Sequence, residues 1–573
     1  MRILDHVIPW KVYYEHDKDT AKLEERKQNV SKIQMISKII FFRVLYLMAM
    51  MLSCHFITEH NPGDDVLRFD MRLNSIGQSL NCFCLKGQSC EVLGAEKALN
   101  LAISRECIIP MNSGNVTTAI SVWNFVLRPF TKWDAARFLH LALNPGMRDP
   151  FPDSFDTSEQ THAFFPLFPW IIRTIALFLS RILPMALLPP TYEALLVGSG
   201  VLFNNFICLP VSTLALYELT RKMVHVNNAS EGSTSQQDRL AMTVCLVFGV
   251  WNPASVFFAT NYSEPFFAMT TLLGHLCMVQ RGKDVVERTS FVWWCIGITM
   301  WMLGSYTRSN GTIHSAWLLQ DGLARICHNF YVDQRRISNS HGSTAFKIFS
   351  IVVSSIVGAI LVALPVRYHD WQGFQRHCQE DIGMDRPSWC LKKSPTFWDL
   401  SFSFYGYVQE KHWNVGLFRY YQWKQIPNFA LAAPILLLSI GGAMKWIHWS
   451  LVTEYGKGKV TWRLRTIVLD WPLHALSVSV DPVRNKSNGV VMQLLENPLL
   501  LGHYAILAIL GLVGLVIAHI QISTRMICSS SPAIIWFLTY CMLHPKHGNF
   551  VWYYAVLYML LGIILHVNFL PWT

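Results

Sequence analysis

Asp134 stands beside Trp133 at the head of a short amphipathic segment, TKWDAARFLH (131–140). A carboxylate so placed can take a proton from a bound hydroxyl, or it can simply favour a helix N-terminus through the dipole. Two more ionisable groups fall at the ends of apolar runs, on what should be the same side. They are Glu264, in the tight turn of NPASVFFATNYSEP (252–265), and Arg308, in SYTRSNG (305–311). Charge at membrane depth is expensive and marks a functional candidate by default, whereas the same charge in interfacial water marks nothing.

These residues need a mount. In the first segment Trp133, Ala136, His140 and Leu141 share one helical face, and Asp134 falls in the first turn after Thr131, the expected N-cap. Such a helix is expected to lie on the membrane interface with Trp133 at headgroup level.

The chain has 573 residues, 52% of them hydrophobic against 15% charged, with a mean hydropathy of +0.27. That excludes an ordinary soluble protein and predicts an all-α polytopic membrane protein. The net charge of +11 is concentrated in patches flanking apolar runs, such as Arg221–Lys222, Arg335–Arg336 and Lys457–Arg465. This distribution reports cytosolic loops rather than a nucleic-acid partner. No small-residue cleavage site follows the first apolar run, so that run is read as an anchor.

The sequence divides into a basic cytosolic tail (1–35), a first span (36–57) and a luminal loop holding the Trp-Asp pair (58–163). A transmembrane bundle (164–366), an aromatic-rich second luminal loop (367–427) and further spans (428–573) with a cytosolic insertion (449–496) follow. About eleven spans are expected. Positive-inside parity fails unless one early segment does not cross, and Phe164–Leu188, interrupted by Arg173, Arg181 and Pro184, is read as re-entrant or split beside a cavity. Cysteines 82, 84, 90 and 107, with 378 and 390, fall in the two luminal loops and suit disulfides better than zinc. In the second loop, Asn414, Arg419, Tyr420, Gln422 and Lys424 are harder to assign to membrane anchoring than the aromatics around them.

There is no Walker loop, dinucleotide fingerprint, nucleophile elbow or zinc-protease motif. Instead KWDAARFL (132–139), AFFPLFP (163–169), NPASVFFATNYSEPFFA (252–268), TRSNG (307–311), NVGLFRYYQWKQIPNFALAAP (414–434), SSSPAIIWF (529–537) and LHVNFLPWT (565–573) occur in order. Together they resemble the second mannosyltransferase family of glycosylphosphatidylinositol (GPI) anchor assembly, the GPI mannosyltransferase 2 family. The resemblance covers most of the chain from Trp133 onward but not the basic tail, the Cys-rich part of the first loop or the insertion.

The resemblance implies a GT-C-type glycosyltransferase fold in the endoplasmic reticulum membrane with a luminal active site. It implies transfer of an α-1,6-linked mannose from dolichyl-phosphate mannose to the GPI precursor, in contact with membrane lipids and with a small accessory membrane subunit as a candidate partner. A β-linked donor giving an α-linkage means inversion, and the leaving phosphate needs no proton, so one carboxylate suffices. On that reading Asp134 is the general base and Trp133 its packing or sugar-stacking neighbour. Arg308, then His162 and Arg419, are candidates for the donor phosphate, and Glu264 for orienting the acceptor, holding a metal or a structural role. Asp149–Asp153 and Asp153–Asp156 have the wrong spacing for a DxD metal motif, so neither metal nor cofactor is expected. Competing readings are another dolichol-linked mannosyltransferase, for N-glycan precursors or protein O-mannosylation, a transporter or scramblase, and a catalytically silent scaffold. No internal repeat supports a transporter.

Overall fold

The computed structural model describes residues 21–57, 59–60, 83–84, 107–108, 122–143, 159–184, 187–189, 191–224, 231–280, 288–333, 341–378, 397, 403–455, 471–479, 489–546, 548–570 and 572. The disulfide candidates, the near-DxD aspartates, a helix expected at Glu96–Glu106 and much of the cytosolic insertion lie outside the residues whose side chains are described.

The described chain is helical apart from a two-residue antiparallel pair, β1 (Phe83–Cys84) with β2 (Cys107–Ile108). In order the helices are α1 (Ala21–Phe56), α2 (Asp134–Leu143), α3 (Leu167–Ile182), α4 (Tyr192–Leu202), α5 (Leu209–Met223), α6 (Glu231–Gly249), α7 (Ser255–Ala259), α8 (Glu264–Gln280), α9 (Arg288–Ser305), α10 (Ile313–Asp333) and α11 (His341–Cys378). They continue as α12 (Phe404–Trp413), α13 (Ile426–Tyr455), α14 (Trp471–Val478), α15 (Leu501–Val516), α16 (Ser523–Ser530), α17 (Pro532–Leu543) and α18 (Gly548–Leu561). A π-helical turn, Phe203–Cys208, joins α4 to α5, and another, Gly562–His566, extends α18.

Among the described residues six helical stretches are long and apolar enough to cross a bilayer: Ser31–Phe56, Tyr192–Met223, Ala345–His377, Trp423–Thr453, Met492–Val516 and Gly548–His566. The bent pair α16–α17 makes a seventh if it counts as one span. That is fewer than the expected eleven: α8 and α9 are apolar but short, and α6 and α10 are not among the helices that are long and apolar enough. Short spans are tolerated where neighbours cover them, and α8 packs on both α5 and α9 in the middle of the bundle.

The segment expected to be re-entrant is one unbroken amphipathic helix. α3 is 16 residues long, about 24 Å, and ends before Pro184. It buries Phe168, Ile172 and Ala176 and exposes Trp170, Phe178 and Ile182. Arg173 Nη1 donates to the backbone oxygens of Ala142 and Leu143 at 3.0 and 2.9 Å, capping the C-terminus of α2. The arginine read as an interruption is therefore a tie between two helices.

The α16–α17 break turns the chain by 90°. Its cause is local: Ser531 Oγ accepts from the Ala533 N–H, Pro532 starts α17, and the Ser529 and Ser530 hydroxyls fold back onto carbonyls of α16. The first span is pinned similarly. Buried Arg43 donates to the Gly249 and Ser255 carbonyls, near the C-terminus of α6 and the start of α7.

Candidate active site

At one end of the bundle, chain turns and helix ends surround a cleft of about 320 Å³. Trp133 and Asp134 enter it from the start of α2, Tyr262 and Ser263 from the start of α8, and Arg308 to Asn310 from the α9–α10 turn. Tyr405, Gln409 and Trp413 line it from α12, His519 and Arg525 from the α15–α16 region, and His566 from the end of α18.

Asp134 is the first residue of α2, where backbone N–H groups lack intrahelical partners. Thr131 is not the cap expected from sequence, because its hydroxyl donates to Arg128 O and closes a 3₁₀ turn. The Asp134 N–H donates instead to Tyr262 Oη at 3.2 Å. Burial, reinforced by Asp134, pushes the Tyr262 phenol well above its usual pKa, so this is a neutral hydroxyl. The apolar face of α2 is covered by protein: Ala135, Ala136, Phe138, Leu139, Leu141 and Ala142 are all buried, and it packs on α3 and α4.

The charged groups form a chain of four. Asp134 Oδ2 lies 2.7 Å from Arg525 Nη2, Arg525 Nη1 lies 3.5 Å from Glu264 Oε1, and that oxygen is 2.5 Å from Arg308 Nη1. Glu264 is fully buried, whereas the Asp134 side chain is 31% exposed. Glu264 therefore serves as the counter-ion that orders two arginines, while Asp134 faces the cleft. The Arg525 guanidinium also sits over Phe257 and Tyr262, 5.4 and 5.3 Å from the ring centres, which fixes its plane. Arg308 is steadied by Ser263 and Asn310, and Asn310 by Ser530 Oγ at 2.8 Å. The turn is tight: a Cβ on Gly311 would come within 2.7 Å of the Ser305 backbone.

Four of the six residues singled out in the sequence, Trp133, Asp134, Glu264 and Arg308, meet here. Two do not. His162 stacks on His369 with ring centres 4.1 Å apart, each Nε2 lying 2.8 Å from the other's backbone oxygen. Burial, with the facing His369 ring next, pushes its pKa well below the usual histidine value, and Gly373 and Phe404 close over it. It ties the first pocket-side loop to α11 and does not line the cleft. Arg419 pairs with Glu410 at the half-exposed surface, also outside the cleft. The polar run around it is turn-building: Asn414 caps α12 at φ 53°, and Gly416 and Phe418 donate to Ile517 and Val516 carbonyls.

Sequence reasoning missed Arg525. Its signal was present, a lone arginine in the short connection between two apolar runs, next to SSSPAIIWF, but that connection was given no role. His519 was missed as well. Burial, with Arg525 adding to it, lowers its pKa to about 4, so it faces the cleft as a neutral imidazole at neutral pH. Among the described residues no three His, Cys, Asp or Glu side chains converge as a metal would require.

Arginines placed around a buried carboxylate, beside a solvent-accessible one, suit an anionic substrate whose partner loses a proton. Comparison with known proteins agrees. The family described as mannosyltransferase (PIG-V) matches residues 95–573. The chain is 27% identical to GPI mannosyltransferase 2 of Drosophila pseudoobscura pseudoobscura, covering 77% of this chain and 86% of that protein. It is 24% identical to human GPI alpha-1,6-mannosyltransferase 2, over 78% of this chain and 88% of that one. With GPI mannosyltransferase 2 of Schizosaccharomyces pombe the identity is 25%, over 77% and 72%. No solved structure matches the chain. The cleft thus lies within the matched region of a membrane enzyme, and the chain belongs to the mannosyltransferase (PIG-V) family.

Proposed function

We propose that this protein transfers the second, α-1,6-linked mannose from dolichyl-phosphate mannose to the GPI precursor at the luminal face of the endoplasmic reticulum membrane, with inversion. The observation that carries the mechanism is the Asp134–Arg525–Glu264–Arg308 array, in which Asp134, Arg525 and Arg308 line one cleft and the buried Glu264 joins the two arginines behind it. Asp134 takes the proton of the acceptor 6-hydroxyl as that oxygen attacks the anomeric carbon. The bond from that carbon to the phosphate oxygen breaks, and the dolichyl phosphate leaves with one more negative charge. Charge therefore moves from the carboxylate to the phosphate, and Arg525, in contact with Asp134, is placed to follow it. Arg308 binds the phosphate beside it, Glu264 holds both guanidiniums, and Trp133 and Trp413 offer faces to the sugar.

The basic patches support a luminal cleft. Arg221–Lys222 ends α5 at an end remote from the cleft, and in sequence Arg281, Lys283 and Arg288 fall between the apolar runs of α8 and α9. With α3 not crossing, α1, α4–α5, α6, α8, α9, α10, α11, α13, α15, α17 and α18 make about eleven crossings, the GT-C-type arrangement.

Complementation tests the reading. In cells lacking the second GPI mannosyltransferase, expression of this chain should restore surface GPI-anchored protein and consume the one-mannose lipid. An expressed chain that leaves that lipid accumulating, or instead restores N-glycan or O-mannosyl defects, refutes it. Failure that is reversed only by a co-expressed small membrane protein would identify the accessory subunit.

A further inference from the structure

The carboxy-terminal LHVNFLPWT (565–573) helped to identify the family, but the reaction as derived gives it no task. Its position gives it one. Trp133 is among the few non-glycine residues of the described chain in the left-handed region, at φ 56°, immediately before Asp134. A bulky residue there is strained and persists only if its surroundings hold it.

Those surroundings come largely from the carboxy-terminal segment. Trp133 Nε1 donates to His566 O at 3.2 Å. The Trp133 ring meets Phe569 edge to face at 5.5 Å, and Phe569 is itself left-handed at φ 58°. Lys132 Nζ sits 4.4 Å above the same Phe569 ring. On the other side Tyr262 Oη, which caps the Asp134 N–H, lies 3.2 Å from His566 Nε2. The segment is anchored in turn to the end of α1: Asn568 Nδ2 donates to Ser53 Oγ at 3.1 Å, and the His60 N–H donates to Asn568 O at 3.0 Å. Backbone and ring contacts thus converge on one turn from residues more than four hundred positions away in sequence, with the Tyr262 phenol, 128 positions away, bridging between them.

We infer that the His566–Phe569 segment is a positioning device, which holds the Trp133–Asp134 turn in its strained conformation and so aims the carboxylate at the acceptor hydroxyl. The inference rests on Asp134 being the base. Neither His566 nor Phe569 contacts a reacting atom, so their loss moves the base rather than removing it. The donor phosphate keeps its partners Arg308 and Arg525. Turnover should therefore fall while donor affinity is preserved.

The test is a steady-state mannosyl transfer assay with dolichyl-phosphate mannose, on detergent-solubilised protein normalised to the folded amount. It compares wild type, Phe569→Ala, Phe569→Leu, Phe569→Tyr and Asp134→Asn. Phe569→Ala and Phe569→Leu should lower kcat about ten- to a hundredfold with KM for the donor within twofold, the scale of a small misplacement of a reacting group. Phe569→Tyr, which keeps the ring, should stay within about threefold of wild type. Phe569→Leu keeps apolar bulk, so it reports even if Phe569→Ala does not fold. A kcat per folded molecule unchanged in Phe569→Leu, or a loss entirely in KM, overturns the positioning role. An active Asp134→Asn would instead sink the assignment of the base, whatever the Phe569 variants do.

Discussion

Replacing Arg525 by lysine keeps the positive charge and removes the geometry. In the native site two guanidinium nitrogens face two carboxylates, Asp134 at 2.7 Å and Glu264 at 3.5 Å, and the plane is set by Phe257 and Tyr262. A lysine ammonium has one nitrogen, cannot bridge both acids in that fork and does not stack on the rings. If Arg525 follows the charge that moves from Asp134 to the leaving phosphate, the variant loses one preorganised donor where charge develops. Such a loss costs about 10²- to 10³-fold in kcat, or about 2.7–4 kcal/mol. Binding depends on Arg308 as well, so KM for dolichyl-phosphate mannose should change by less than about tenfold. The assay is the initial rate of mannose transfer in microsomes at matched protein levels, with donor varied. Arg525→Lys within threefold of wild type in kcat would refute the charge-following role and reduce Arg525 to a structural counter-ion of Glu264.

Five further outcomes are expected. Tyr262→Phe removes the hydroxyl that caps the Asp134 N–H and should lower kcat about five- to thirtyfold, since an unmade buried hydrogen bond costs about 1–2 kcal/mol; an unchanged rate excludes that cap from catalysis. Arg419→Ala breaks only a surface pair and should leave rates within twofold, whereas His162→Ala should lower the yield of folded protein but not kcat per molecule, both read by activity normalised to folded protein. His519 has a folded pKa of about 4, below its unfolded value near 6.5, so the unfolded chain binds a proton that the folded chain refuses. Its contribution is therefore intact above about pH 6.5 and is lost as pH falls toward 4, and His519→Gln should flatten the fall of Tm across that window in detergent. EDTA in a membrane assay should leave the rate within twofold, and a strong loss restored by divalent cation would contradict a metal-free site.

The lone Asp beside Trp, and Glu264 and Arg308 at run ends, were legible because charge is costly at membrane depth and its position in an apolar sequence is informative. What sequence could not supply was who meets whom. Arg525 joins Asp134 because α16 is set off from α17 by the 90° break at Ser531–Pro532, and a hydropathy reading sees residues 523–532 only as a connection between two apolar runs. His162 and Arg419 carry the right chemistry for phosphate, yet tertiary packing commits one to a histidine stack and the other to a surface pair. Arg173 and Arg181 suggested a broken span. In the fold the apolar face of α3 and the carbonyls that end α2 account for Arg173 instead. NFLPWT was readable as a signature but not as a buttress, since its partners at Trp133, Tyr262 and Ser53 are distant in sequence.

The most direct measurement of the central claim is the initial rate of Asp134→Asn against wild type, at matched folded protein and with donor concentration varied. Asparagine keeps the size of the side chain and the first turn of α2 but cannot accept the acceptor's proton. If Asp134 is the single base, kcat falls by about 10²- to 10⁴-fold while KM for dolichyl-phosphate mannose stays within a few-fold of wild type. If Asp134→Asn turns over at more than a tenth of the wild-type rate, the proton leaves by another route and Asp134 is not the base.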